Sequence, residues 1–179
     1  AFAGGQSPIA IDVTAEPARN ISAYNLFQNI RQHQPNAGLV PYDINTPLFS
    51  DYAEKHRFVY LPDGAAATVR KDGTLDFPVG TVLVKTFSFP HDRRDPAAGE
   101  RIVETRLLMH RPEGWVGYPY IWNEELSDAR LAVAGARIGV SWTHDDGSQH
   151  ATRYTIPNMN QCKQCHANNG VMGPIGPRV

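Results

Sequence analysis

The chain of 179 residues is poor in sulfur, with two cysteines and three methionines. Two cysteines cannot build the disulfide framework of a small secreted scaffold. An excess of either charge is also missing. Lys and Arg number 17 against 18 Asp and Glu, a net charge of −1, so composition points to neither nucleic acid nor an anionic membrane surface as partner. No apolar run reaches the length that crosses a bilayer. There is no strand–helix–strand alternation, phosphate loop, serine triad or outstanding carboxylate pair, so nucleotide-dependent and simple hydrolytic chemistry lack a motif. Long helices are scarce too. The 15 glycines and 14 prolines suit a loop-rich β protein better than a helix bundle.

The length fits one domain, or one domain with an N-terminal arm, and suffices for a sizeable core. Hydrophobic content of 41% with a mean hydropathy of −0.39 reads as a soluble globular chain. We divide it into residues 1–30, an arm and short helix, and residues 31–179, a β domain. Residues 1–20 lack periodicity and read as a surface arm. Ser22 to Ile30 fits a short helix capped by Ser22, with Leu26, Phe27 and Ile30 inward. Pro35, Pro41 and Pro47 break residues 31–54, where Leu48 and Phe49 are expected to plug the core. The small-residue start, Ala1 to Gly5, fits a position just past a removed signal segment, and Gly173 to Val179 reads as a loop within a longer polypeptide.

From residue 56 the pattern is strands. His56–Leu61, Thr81–Phe89, Arg101–His110, Trp115–Trp122, Ala129–Val133, Arg137–Thr143 and Gln149–Ile156 are rich in β-branched and aromatic residues. Pro112-Glu113-Gly114 and Asp145-Asp146-Gly147 mark hairpin turns. Pro119 inside one strand implies an edge position or a bulge. The fold class is therefore mainly β, an antiparallel sandwich or barrel, with a short C-terminal helix over Asn158 to Ala167.

That helix carries Cys162-Lys163-Gln164-Cys165-His166, the spacing of covalent haem c attachment. Two thiols one helical turn apart reach the two vinyl groups of one porphyrin, and the next His supplies the proximal iron ligand. Three other readings fit less well. Zinc usually takes four nitrogen or sulfur ligands, and a second cysteine pair is missing. A redox C-x-x-C belongs near a βαβ unit. A disulfide alone needs no His166. One covalent haem c is the expected cofactor, held by Cys162, Cys165 and His166, and the haem-bearing helix follows the strands.

The second axial position separates electron transfer from ligand binding. Its candidates are Met109, Met159, Met172, His33, His56, His91, His110, His144 and His150. Met172 and Met109 lead as distal ligands: a loop from His166 to Met172 is long enough to wrap a porphyrin, and only one of Met109 and His110 can face inward on one strand. Met109 also reads as plain core. Lys55, Arg57, Lys85 and Arg106 are cations that haem propionates would accept, or ordinary surface pairs. Tyr118, Tyr120 and Trp122 alternate on one strand face with Trp115 on the other, as core or as a haem wall. Glu124, Glu125 and Asp128 read as a solvated acidic turn.

The chain resembles a family of bacterial extracytoplasmic mono-haem c domains, whose members stand near parallel β-helix proteins or are fused to PQQ-linked sugar dehydrogenase-like modules. The residues that carry the resemblance are Pro47 to Ala53, Lys55 to Pro62, Gly80 to Phe87, Glu104 to Leu108, Gly114 to Tyr118, Trp122-Asn123 and Ile156-Pro157 running into Asn160-Gln161-Cys162. The resemblance implies one covalent haem, a periplasmic or extracellular location and a redox role. Its architecture is loosely similar to cytochrome c-prime-beta. Electron transfer to or from a redox partner protein, such as a dehydrogenase, is the expected function. No acid–base set argues for an enzyme; the alternative is a haem protein with an open distal site that binds or transforms a small molecule.

Overall fold

The computed structural model describes residues 8–46, 48–168 and 170–175. The expectations for residues 1–7, Pro47 and the segment from Gly176 lie outside the described residues. The most apolar stretch sets the centre of the molecule. Val82 to Phe89 is buried at every position but Lys85, so this strand needs cover on both faces. Strands β1 (Leu39–Tyr42), β2 (Glu54–Tyr60), β3 (Val82–Pro90), β4 (Glu100–Arg111), β5 (Gly114–Trp122) and β6 (Ala129–Leu131) lie side by side in chain order. Every neighbouring pair is antiparallel. A further hairpin, β7 (Ala136–Thr143) with β8 (Gln149–Ile156), forms a second layer. The protein is thus mainly β and antiparallel, with sandwich layering and one short C-terminal helix, α1 (Met159–His166).

One face of the six-stranded sheet carries Phe58, Val82, Val84, Leu107, Met109, Tyr118 and Tyr120. Residues 9–30 cover it. Ile21, Tyr24 and Leu26 are buried there, and Ile9 and Ile11 pack against them. The N-terminal stretch is therefore not a surface arm from residue 9 onward; its isoleucines have apolar area to bury and the sheet supplies the partner. Polar bonds fix it. Tyr120 donates to the Ala18 carbonyl at 2.8 Å and Asp128 accepts from the Ser22 backbone and hydroxyl. Asp128 is thus a structural clamp rather than a solvated residue of an acidic turn; Glu124 and Glu125 are exposed.

The expected helix at Ser22 to Ile30 is replaced by a 3-10 turn, Ile21–Tyr24, and a short strand, Phe27–Asn29. Asn25 enters the left-handed region at φ 51° and closes the turn, since Asn tolerates that conformation. Ser22 is spent on Asp128 instead of capping. Leu26 and Ile30 are nonetheless buried, with Phe27 half-buried. Leu48 and Phe49 do not plug the core; they are 71% and 66% exposed. The segment around Pro41 is edge strand β1, where a missing N–H faces no partner. Pro119 obeys the same rule: its carbonyl accepts from Ala132 on the β6 side, just past the last pair, Leu131 with Tyr120.

The other sheet face is divided. Phe87, Phe89 and Val103 pack under the β7–β8 hairpin with Trp142, Tyr154 and Ile156. Leu83 and Leu108 pack with Phe77, Trp115 and Met172. Between these two apolar clusters lies a polar strip, and α1 approaches this face. Among the described residues no helix is long and apolar enough to cross a membrane.

Candidate functional site

Helix α1 begins with a capping box. The Asn158 side chain accepts from the Gln161 N–H at 2.8 Å, and the Gln161 side chain accepts from the Asn158 N–H at 2.9 Å. These reciprocal bonds satisfy two of the donors that a helix start leaves unpaired, which lets eight residues hold one conformation. Within α1, Cys162 and Cys165 lie about one turn apart, and His166 follows Cys165 directly. Neither cysteine is in a disulfide.

Cys162 turns toward the sheet. A side-chain carbon built on Gly117 in β5 would lie 3.0 Å from Cys162 Cβ, 3.2 Å from its Sγ and 3.3 Å from Met172 Cε. Gly117 thus leaves the space that the thiol and the thioether occupy. Cys165 is exposed. Burial pushes the Cys162 thiol above its ordinary value, so it stays protonated at neutral pH. That environment does not favour the thiolate that a zinc ion would take.

After α1 the chain folds back as a hairpin, Ala167–Asn168 against Val171–Met172. The Gly173 N–H donates to the His166 carbonyl at 2.8 Å, and the Gly173 carbonyl accepts from His166 Nδ1 at 3.2 Å. A carbonyl can only accept, so Nδ1 carries the proton and Nε2 keeps its lone pair. Burial lowers the His166 pKa. The Gly173 bond opposes that shift, and the charges of Lys85 and Arg106 reinforce it. A neutral imidazole with a fixed tautomer is the form that ligates a metal.

The sheet beneath presents a rung of three cations. Arg57, Lys85 and Arg106 are direct cross-strand partners on β2, β3 and β4, and Pro119 continues the rung on β5. Like charges directly opposite destabilise a sheet. Two of the three are compensated. Arg57 binds Asp43 at 2.9 Å, and Arg106 makes a bidentate pair with the fully buried Glu104, which also accepts from Tyr154 at 2.6 Å. Arg106 and Lys85 lie 4.3 and 5.0 Å from the centre of the Phe87 ring. Lys85 has no carboxylate partner among the described residues. Burial, then the charges of Arg57, Arg106 and Lys55, push its ammonium down to about 8. Lys55 donates to the Leu48 carbonyl at the mouth of a cleft lined by Phe49, Tyr52, Arg57 and Arg93.

The other candidates separate by face. Met109 is buried with Val82 and Tyr118 on the opposite side of the sheet from Cys162, in the place of the core residue that it also reads as. The alternation of side chains puts its neighbour His110 on the motif's face, stacked on Trp115 at 4.4 Å and bonded to the Phe77 carbonyl. Met159 packs at the border of the core on Met109's side. Met172 packs on the motif's face of the sheet, beside Leu83, Leu108 and Trp115. Tyr118, Tyr120 and Trp122 wall the N-terminal segment, while Trp115 faces α1's side. His91 is exposed; His144 and His150 flank the hairpin turn with rings 4.8 Å apart. His33 and His56 converge on Glu100.

Sequence reasoning missed Gly117, Gly173 and the Asn158–Gln161 box. Only the box had a readable signal, Asn-x-x-Gln before the motif. No family model, curated protein or solved structure matches the chain.

Proposed function

We propose that this chain is an extracytoplasmic c-type haem protein, periplasmic or extracellular, that carries single electrons to or from a partner protein such as a dehydrogenase. The supporting observation is the helix that presents Cys162, Cys165 and His166 together, with His166 Nδ1 held by Gly173 so that Nε2 is free. The segments that resemble extracytoplasmic haem-c domains favour the same reading.

Haem, when attached, supplies one-electron iron chemistry whose potential depends on axial ligands and burial. The chain's own residues would do the rest. Cys162 and Cys165 would form the two thioether links. Gly173 fixes the tautomer of His166, an outer bond that keeps the ring oriented and raises its basicity. Arg57, Lys85 and Arg106 offer positive charge to carboxylates, and Lys85 is the one without a carboxylate of its own. Glu104 is held by Arg106 and Tyr154. It is therefore no free base, which favours electron carriage over catalysis.

Protein matured in a host with haem-attachment machinery should, when denatured, weigh one haem more than its polypeptide. Cys162→Ala with Cys165→Ala should remove that mass. The bare polypeptide mass in the unmodified chain would remove the proposal.

A second reading rests on one observation. The bonds between Gly173 and His166 tether the neighbouring Met172 to the Nδ1 side of the ring, while Met109 is on the far face. An axial position left without a methionine suits a protein that binds a small ligand. Slow, weak carbon monoxide binding by the reduced protein supports electron transfer; rapid, tight binding supports the second reading.

A further inference from the structure

Away from the motif, three side chains meet at the end of the sheet face that the N-terminal segment covers. His33 closes a 3-10 turn, Ile30–Gln32, in the left-handed region at φ 48°. His56 stands on β2 and Glu100 opens β4. Glu100 is 67 and 44 positions from the two histidines, so the fold rather than local sequence brings them together. Both Nε2 atoms face the same carboxylate. His33 Nε2 contacts Glu100 Oε1, and His56 Nε2 lies 3.2 Å from Oε1 and 3.3 Å from Oε2. The two imidazoles are stacked, with centroids 3.4 Å apart and planes within 15°. The three side chains are 14%, 32% and 19% exposed for His33, His56 and Glu100.

Two stacked imidazoles are aimed at one carboxylate, so three donor groups of metal-ligating type converge on one point. A divalent ion at the point of convergence satisfies all three donors. The His56–Glu100 edge suits it, and the direct His33–Glu100 contact, closer than a ligand–ligand edge, would open to admit the ion. Four ligands around zinc with bonds of about 2.0–2.1 Å stand about 3.3–3.4 Å from one another. The His56–Glu100 separations match that edge, and all three donor atoms lie within 4.8 Å of one another. Ser88 donates to Glu100 Oε2, the kind of outer bond that orients a ligating carboxylate. His33 Nδ1 is buried without a partner among the described residues, so every polar contact of that ring is made through Nε2.

We propose that His33, His56 and Glu100 form a binding site for a divalent transition-metal ion, zinc or one of similar preference, with a fourth position left for water. Two imidazoles and one carboxylate are donors that such ions accept. The site is separate from α1 and does not depend on haem.

The test is calorimetric titration of the haem-loaded protein with zinc, with cobalt(II) as a spectroscopic probe. One equivalent should bind, and cobalt should show the intense visible bands of a tetrahedral site. His56→Ala and Glu100→Gln should abolish that equivalent, and Ser88→Ala should weaken it by on the order of tenfold. Thermal unfolding guards against misfolded variants: zinc should raise the midpoint of the unmodified protein but not that of a folded His56→Ala chain. Two controls locate the ion. Cys162→Ser with Cys165→Ser, and His144→Ala with His150→Ala, should leave the equivalent intact. Absence of stoichiometric binding, unchanged binding in folded His56→Ala, or loss in either control pair would overturn the proposal.

Discussion

The sulfur of Cys162 lies 3.2 Å from the place where a side chain on Gly117 would begin. The contact seats helix α1 against Gly117 of β5. Gly117→Ala should therefore push Cys162 and Met172 by a few tenths of an ångström. We expect a loss of about 1–3 kcal/mol in denaturant unfolding, the usual range for overpacking. Haem incorporation should fall alongside, and Gly117→Val should do more of both. Unchanged stability and full incorporation in Gly117→Val would show that α1 does not rest on this strand.

Lys85 carries a pH signature. Its folded value, about 8, is below the ordinary lysine value of 10.5. The folded state therefore releases this proton before the unfolded state does, and between these values the unfolded chain binds more protons. Stability contributed by this group rises with pH across that window, and below it the folded protein bears the cost of a buried charge. In the haem-free double-cysteine variant, Lys85→Met should raise stability at pH 7 by about 1–3 kcal/mol, after allowing for partial exposure. It should also flatten the rise between pH 8 and 10.5. A haem carboxylate on Lys85 would reverse the sign, so the same substitution should destabilise the haem-loaded protein. Equal effects in both forms would separate Lys85 from the propionates.

Tyr120 offers a purely structural test. It is fully buried, and its hydroxyl donates to the Ala18 carbonyl while lying 3.2 Å from the Tyr24 hydroxyl. Tyr120→Phe leaves the Ala18 carbonyl and the Tyr24 hydroxyl short of a partner, which should cost about 1–3 kcal/mol. Hydrogen exchange should quicken in residues 9–24 before it does in β3 and β4. Uniform change across the protein would mean that the N-terminal segment and the sheet open as one unit.

Much of this fold was legible before any coordinates. β-Branched and aromatic runs between Asp-Gly and Glu-Gly turns located β2 to β8 to within a few residues, because two-residue periodicity and turn chemistry are local properties. Edge strand β1 was hidden by Pro41, whose penalty disappears only when no neighbour needs its N–H. The helix expected at Ser22 failed because Asp128, more than a hundred positions away, claims the serine. The Cys162-x-x-Cys165-His166 motif was readable since its residues sit within five positions. The His33–His56–Glu100 cluster was not, since no spacing rule joins residues that only the sheet brings together.

If the proposed haem is attached, the question of its sixth ligand turns on Met172. The pairing of Ala167 with Met172 and the bonds of Gly173 to His166 keep its backbone beside the proximal ring. Its methyl reaches the Gly117 position, and its side chain packs with Trp115 and Leu108. To cross to the distal side of a porphyrin the hairpin would have to open and give up the bond that orients His166. We therefore expect Met172 to act as a packing residue. Met172→Ala should cost about 2–4 kcal/mol, in the range for truncating a buried methionine and allowing for its partial exposure. It should leave the near-infrared spectrum of the oxidised haem protein unchanged. Met172→Leu, which keeps the volume, should recover most of the stability. A sulfur-to-iron band in the unmodified protein that vanishes in both variants, with carbon monoxide binding then accelerated, would show instead that attachment opens the hairpin and that Met172 ligates the iron.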